Sequence, residues 1–332
     1  MRAVRYDRYG PPDVLHVADI ELRAPAAGEV TVRIQAASLN PLDWKIRAGH
    51  LRLVPMFASP PRTPGVDLAG DIVATGGGPG PRHVGERVFG SLPAFGRDGS
   101  CAELAIIAAH RLAPMPDGAS YEACATLPIS AGTALQALVD EAPLAPGQRV
   151  LINGAAGGVG HFAVQVAKHL EAHVVATCSA ANVEFVRSLG ADDVLDYAST
   201  DVASAGPFDV IFDVADALGW QRAFVLLARG GTYVSTSGTA ASAASTIVAS
   251  LAAPLSGRRA RALVLKDGGA SCARLARWMA RGALRPHVAH RVALEGVAQA
   301  QRRMEAGHAA GKTIVLPQAT STQEDGDSRP SP

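Results

Sequence analysis

An excess of either charge is missing from this chain of 332 residues, in which 31 basic side chains face 30 acidic ones. Near-neutrality argues against a general binder of nucleic acid or anionic membrane. Long hydrophobic runs are missing too: no apolar stretch in the sequence approaches the roughly 20 residues that a bilayer-spanning helix requires. The amino terminus, Met1-Arg2-Ala3-Val4-Arg5-Tyr6-Asp7, has no apolar signal core and reads as a first strand, so a cytoplasmic protein is expected. Cysteine is scarce. Cys101, Cys124, Cys178 and Cys272 lie far apart and none belongs to a C-x-x-C pair, which suggests neither a zinc knuckle nor a disulfide framework. Residues 318–332 have almost no apolar content and read as a disordered tail.

What the chain does contain is concentrated at residues 150–160, Val-Leu-Ile-Asn-Gly-Ala-Ala-Gly-Gly-Val-Gly. Val150–Ile152 reads as a buried strand, and helical spacing begins at Val159. Strand, glycine turn and helix together place a pyrophosphate at a helix N-terminus, where backbone N–H groups and the dipole meet the anion. The cofactor-binding turn is thus Ala155, Ala156, Gly157, Gly158, Val159 and Gly160, with alanine at the usual first glycine. Gly157 and Gly160 leave no Cβ in the way of phosphates or of helix–strand packing.

The surrounding pattern divides the chain. Residues 1–120 are rich in Gly and Pro, with short β-like runs at 30–34, which alternates as a half-buried strand, and at 68–75 and 87–89. An apolar-faced helix is predicted over 131–141. Strands are predicted at 173–177, 193–196, 208–214 and 232–235, with helices over 183–189, closed by Gly190, and 217–227, ended by Gly230-Gly231. Such alternation implies an α/β fold with a parallel sheet. Further helices are read at 272–281 and 297–306, and a last strand at 313–316.

A longer set of phrases accompanies the turn: Asn40-Pro41-Leu42-Asp43-Trp44-Lys45, Pro64-Gly65-Val66-Asp67, Gly85-Glu86-Arg87-Val88, Gln165-Val166-Ala167-Lys168, Leu189-Gly190-Ala191-Asp192 and Gly311-Lys312-Thr313. Together they resemble the zinc-independent quinone oxidoreductase branch of the medium-chain dehydrogenase/reductase family. The resemblance runs from about residue 1 to 317 and implies a GroES-like β-rich catalytic domain (1–122, completed by 258–317) and a Rossmann doubly wound domain (123–257). It places the cleft between them. Zinc-dependent relatives carry Cys where Asn40 stands and His where Val66 stands, and a cysteine lobe that is missing here. The expectation is no metal.

The end of the second strand, Thr177-Cys178-Ser179-Ala180-Ala181-Asn182, carries no carboxylate to repel a 2′-phosphate, so NADPH is favoured over NADH. Ser179 and Asn182 can donate to that phosphate, although relatives that use NADPH often have Lys at the Asn182 position. The resemblance puts Tyr197 near the adenosine phosphate and Gly238 beside the passing cofactor, and counts Lys312 among the cofactor-binding residues without fixing its role. Arg187 reads as a solvated helix residue.

Without metal, the easiest hydride acceptor is a conjugated one, a quinone or an enone, because charge spreads to a carbonyl oxygen. Implied catalytic residues are Asn40, on the nicotinamide side or as a loop-capping amide, Lys45, toward the nicotinamide ribose or the substrate oxygen, and Thr133 beside the nicotinamide. Asp43 and Asp67 read as braces, Asp43 accepting from backbone or from Arg47. None of the ten histidines is assigned a catalytic role, and His161 is expected in solvent or near phosphate. Alternatives within the family are an enoyl-thioester reductase, lowered by the lack of any tyrosine between Tyr9 and Tyr121, and a tailoring reductase. A non-catalytic NADPH-binding protein is a third. The resemblance also implies a homodimer formed by edge pairing of Rossmann sheets.

Overall fold

The computed structural model describes residues 1–54, 57–78, 82–236, 245, 247–251, 253, 256–266, 268–307 and 310–319. The chain opens with an antiparallel ribbon of β1 (Arg2–Arg5) and β2 (His16–Asp19). Next come β3 (Glu29–Ser38), α1 (Pro41–Arg47), β4 (Asp67–Thr75), β5 (Arg87–Ser91), β6 (Leu104–Ala108) and β7 (Leu112–Pro114). Strand β3 pairs with β4 on one side and with β6 along its first half. Val30, Val32 and Ile34 are buried and Arg33 is exposed, as the expected alternation requires, and Thr31 alone departs from it by being buried as well.

The helix expected over 131–141 starts earlier and is irregular. It comprises α2 (Tyr121–Ala125), a π-helical turn Leu127–Ala131, α3 (Gly132–Leu135) and a second π-helical turn Gln136–Glu141. Ser120 starts it, because its Oγ accepts the Ala123 N–H at 3.1 Å. Pro128 has no N–H to give to a regular α ladder, and the wider turn forms there.

A six-stranded parallel sheet follows: β8 (Arg149–Asn153), β9 (His173–Cys178), β10 (Asp193–Asp196), β11 (Phe208–Asp213), β12 (Leu227–Ser235) and β13 (Arg259–Ala262). The spatial order is β10-β9-β8-β11-β12-β13. The order reverses between β8 and β11, and a crevice outside the carboxyl ends of these two strands is the usual ligand site of such sheets. Helices α4 (Gly160–His169), α5 (Val183–Ser188) and α6 (Trp220–Leu226) connect the strands.

Two expectations change here. The helix predicted over 217–227 is shorter, and Gly230-Gly231 does not end it. The pair lies inside β12, where the pairing steps from Phe208↔Leu227 to Val210↔Thr232 and Gly230 takes φ +82°. The sixth strand, β13, lies past the expected 257/258 boundary, so the Rossmann sheet extends through Ala262. It also makes β13, not β12, the outer strand on that side.

The chain then returns through α7 (Gly269–Ala280), β14 (Val288–Val292), α8 (Val297–Glu305) and β15 (Lys312–Val315). Strand β15 pairs antiparallel to β3, with Ile314 opposite Ser38, and completes the first domain's sheet. One buried cluster, including Leu127, Leu138, Ile152, Phe162, Phe212, Leu275 and Ile314, runs through both domains. Gln318 is ordered, with its Nε2 donating to the carbonyls of Ile34 and Glu103 at 3.3 Å. The remainder of the expected tail, 320–332, lies outside the described residues.

Gly160 sets how closely α4 approaches β8. A Cβ there would sit 2.1 Å from the Gly154 carbonyl oxygen and 2.7 Å from the Ala155 Cα, both backbone atoms. Gly160→Ala should therefore destabilise the fold by about 1–3 kcal/mol, measured by urea unfolding, as backbone-limited overpacking does. Unchanged stability would mean that the turn relaxes without loss.

Candidate active site

The glycine turn leaves β8 at Asn153. The Asn153 Nδ2 donates to Asp213 Oδ1 at 2.7 Å and its Oδ1 accepts from Thr177 Oγ1 at 2.6 Å, so one amide ties the ends of β8, β9 and β11. Gly154 turns the chain at φ +88°. Ala155, at the usual first-glycine position, is fully buried and donates its N–H to the Thr177 carbonyl at 2.9 Å. The glycines divide the work. Gly160 permits helix–strand contact, whereas a Cβ on Gly157 would meet only the Gly154 oxygen, at 3.6 Å. That open face at the start of α4 suits a pyrophosphate.

Behind the turn lies a buried polar network. Asn40 Nδ2 donates to Asp67 Oδ2 at 2.9 Å, and its Oδ1 accepts from Lys312 Nζ at 2.7 Å. Lys312 Nζ also donates to the Leu39 carbonyl at 3.0 Å and lies 3.7 Å from Asp67 Oδ2. Asp67 further accepts from Ser38 Oγ and from the Ile129 N–H. Burial lowers the proton affinity of Lys312, and Asp67 opposes that shift. The Lys312 stem borders the turn: a Cβ on Gly158 would sit 3.1 Å from Lys312 Cδ. Lys312, expected at the cofactor, thus turns its ammonium into the catalytic domain and meets the turn with its alkyl chain.

Asn40 is also the N-cap of α1, in a capping box with Asp43, whose Oδ2 accepts the Asn40 backbone N–H at 2.7 Å. Asp43 Oδ1 accepts from the Gly65 N–H at 3.1 Å. Arg47 is not its partner, contrary to one expectation: that guanidinium is fully buried and binds Gln301 Oε1 at 2.7 Å, Glu305 and the Gly10 carbonyl. Burial pushes the Asp43 carboxyl up to about 7. Thr133 Oγ1 donates to the Ile129 carbonyl at 2.6 Å, inside the irregular helix. Lys45 is half-buried on α1, its Nζ 5.9 Å from the Trp44 ring centre. Burial lowers its proton affinity, and the charge of Asp216 raises it.

At the end of β9, Asn182 Nδ2 donates to Ser179 Oγ at 3.0 Å, which brings the two expected phosphate donors together. Tyr197 is 66% exposed, anchored by its N–H on the Cys178 carbonyl at 3.1 Å. Arg187 is exposed and pairs with Glu184. Gly238 lies outside the described residues.

His161 is the main residue that the sequence reading misplaces. It is fully buried rather than in solvent. Its Nδ1 lies 3.0 Å from the Gly157 carbonyl, and its Nε2 lies 3.4 Å from the His287 backbone nitrogen. The Nδ1–H tautomer satisfies both contacts, because Nε2 is then free to accept that N–H. Gln165, one turn on, bonds both the N–H and the carbonyl of Arg285. The cofactor helix is thereby fastened to the chain that returns to the catalytic domain. Helical spacing marks His161 as the first turn of α4, but nothing local signals the segment that covers it.

Residues 26–117 match the family described as alcohol dehydrogenase GroES-like domain, and residues 189–315 match that described as zinc-binding dehydrogenase. A chloroplastic quinone oxidoreductase of Triphysaria versicolor is 32% identical, over 96% of this chain and 98% of its own length. A trans-enoyl reductase of Aspergillus terreus is 33% identical, over 86% of each chain. The solved quinone oxidoreductase of Coxiella burnetii superposes with a TM-score of 0.85 at 28% identity, over 95% of this chain and 99% of that one. The residues here do not fit the zinc in the second description. Asn40 and Val66 stand at the two ligand positions, and among the described residues no three His, Cys, Asp or Glu side chains could hold a metal ion.

Burial pushes the His161 imidazole down to about 4. Relative to its unfolded value, the contribution is fully present above about pH 6.5 and lost as pH falls through about 4, a change of roughly 3 kcal/mol. Urea unfolding of His161→Phe should show lower stability than wild type at pH 7, with the gap narrowing toward pH 4. Asp43 titrates in the opposite sense but in both proteins, so it cancels from the difference. A gap independent of pH would contradict a buried neutral imidazole.

Proposed function

Because the chain belongs to the quinone oxidoreductase branch of the medium-chain dehydrogenase/reductase family, we propose that it transfers hydride from NADPH, without a metal, to a quinone or an α,β-unsaturated carbonyl. The coarser statement, an NAD(P)H-dependent reductase of that family, rests on the relatives and on the glycine turn at the switch point of the sheet. The single observation behind the finer reading is the donor set of the cleft. Among the described residues it offers the half-buried ammonium of Lys45 and no group of three metal-ligating side chains.

Bound at the turn, a reduced nicotinamide supplies the hydride. The protein's own part is geometry and charge. Gly157 and its neighbours receive the pyrophosphate. Lys45 donates to the acceptor oxygen, where charge gathers as the β-carbon is reduced, and water returns the proton. Asn40 and Thr133 act as positioning residues in this reading, since the side-chain amide of Asn40 and the hydroxyl of Thr133 are engaged within the protein. Ser179 and Asn182 hold the 2′-phosphate, and Tyr197 lies beside it. Likeness to a trans-enoyl reductase favours a second reading, an enoyl acceptor, which presents the same conjugated double bond and carbonyl. We further propose a homodimer joined along the β13 edge. Among the described residues, no helix is long and apolar enough to cross a membrane.

Purified protein should oxidise NADPH in the presence of 1,4-quinones or enones. Lys45→Ala should lower kcat/KM for the acceptor by about 10–100-fold with little change in coenzyme affinity. No turnover across a broad acceptor panel, despite coenzyme binding, would favour a non-catalytic role. Asn182→Lys should tighten NADPH, but not NADH, by about tenfold in a fluorescence titration, because a cation would then face the 2′-phosphate. Equal effects on both coenzymes would place the phosphate elsewhere.

A further inference from the structure

At the amino end of the parallel sheet, opposite the glycine turn, lies a cavity of about 160 Å³. Gln148 reaches it from just before β8, Asp209 from β11, Arg229 and Thr232 from β12, and Arg259 from the first position of β13. The step in pairing within β12 makes room for it. Residues 228–231 stand there against Asp209 alone, and Gly230 donates its N–H to the Gly257 carbonyl at 2.7 Å. An engineered cavity of roughly 150 Å³ admits benzene, whereas sites for drug-sized ligands take about 300 Å³ or more. The volume here therefore suits a small ion or ester and excludes a dinucleotide.

Charge and free donors narrow the class of ligand. The ionisable groups of the wall are two guanidiniums, Arg229 and Arg259, against one carboxylate, Asp209. Arg259 is fixed in place: its Nε donates to the buried Thr232 Oγ1 at 3.0 Å and its Nη2 to the Gly230 carbonyl at 2.9 Å. Its Nη1 makes no bond among the described residues. Arg229 is exposed and has neither hydrogen bond nor ion pair among them. Asp209 neutralises neither arginine by contact, since its Oδ2 accepts the Arg149 N–H at 2.9 Å. Gln148 Oε1 accepts the Ala145 N–H at 2.8 Å, which leaves its Nε2 as a donor. The nearby guanidiniums of Arg149 and Arg258 are spent on the carbonyls of Ala205 and of Leu227 and Ser256.

We propose that this cavity is an anion site separate from that of the coenzyme, which takes a phosphate group, as inorganic phosphate or a small phosphate monoester, between Arg229 and Arg259. The guanidinium fork matches phosphate oxygens two at a time. Donors that converge from before β8, from β12 and from β13 suit a tetrahedral anion better than a flat carboxylate. An anion held there ties together the amino ends of these strands, so its occupancy is read as stability of the coenzyme domain. The site lies at the far end of the sheet from the hydride-transfer cleft and is independent of the reductase reading.

The test compares wild type with Arg229→Gln, which removes a charge that has no partner in the fold. In chloride the two should melt within about 1 °C of each other. Both are held at one ionic strength with saturating NADPH, so that phosphate at the glycine turn does not contribute. Inorganic phosphate at about ten times its Kd should raise the wild-type melting temperature by about 2 °C. Calorimetric titration should show phosphate binding at least about tenfold weaker in Arg229→Gln. The general stabilising action of phosphate as a salt acts on both proteins alike and drops out of the comparison. Phenyl phosphate distinguishes the sources: binding tighter than inorganic phosphate marks an ester site, and weaker binding marks a site for the free ion. Equal phosphate affinity in the two proteins, no phosphate binding by wild type, or acetate bound as tightly as phosphate would overturn the proposal. If NADPH does not bind, the reductase reading fails, and the part of phosphate binding that depends on Arg229 still decides this site.

Discussion

A buried ammonium holds this architecture together at its centre. Lys312 begins the last strand, yet its Nζ reaches Asn40, the Leu39 carbonyl and Asp67 in the first domain. Its stem lies against Gly158 in the glycine turn of the second. A charge removed from water is tolerated only where oppositely charged and polar groups surround it. Here those groups come from segments that the chain order keeps far apart. The geometry of the cleft therefore depends on the last strand having docked.

The rest of the site is arranged around that junction. On one side, Asn153, Thr177 and Asp213 link three strand ends and present the turn. Behind it, His161 and Gln165 fasten the cofactor helix to residues 285–287. Helix α1 carries the half-buried Lys45. Groups that hold the frame are buried and bonded to each other. The groups proposed to meet ligands, Gly157, Ser179, Asn182 and Lys45, are less deeply buried than that frame. This separation accounts for Asn40, which lies in the cleft-forming segment and yet has its amide engaged on both sides.

The local parts of this arrangement are legible in the sequence. Strand, glycine spacing and helix form a pattern within a few residues, so β8, the turn and α4 follow from composition alone. The alternation of β and α signals likewise implies the parallel sheet. Strand β13 escapes because Arg259-Ala260-Arg261-Ala262 has no hydrophobic run, as an outer strand can afford. The π-helical turns around Pro128 escape because tertiary packing, not propensity, keeps that stretch helical. Long-range polar pairing is the least visible. Lys312 is 272 residues from Asn40, and His161 is 126 residues from His287. A lysine after glycine and a histidine at a helix start look solvated until the fold covers them.

The coupling through Lys312 is tested most directly by urea unfolding of Lys312→Met and of the double variant Lys312→Met/Asp67→Asn, each with and without NADPH. Lys312→Met leaves Asp67 buried without its cation and should cost roughly 3–5 kcal/mol, and the double variant should recover a large part of that loss. NADPH should stabilise both variants less than wild type, because the turn has lost its support from behind. Wild-type stability and a wild-type response to NADPH in Lys312→Met would contradict the view that this buried ammonium joins the two halves of the site.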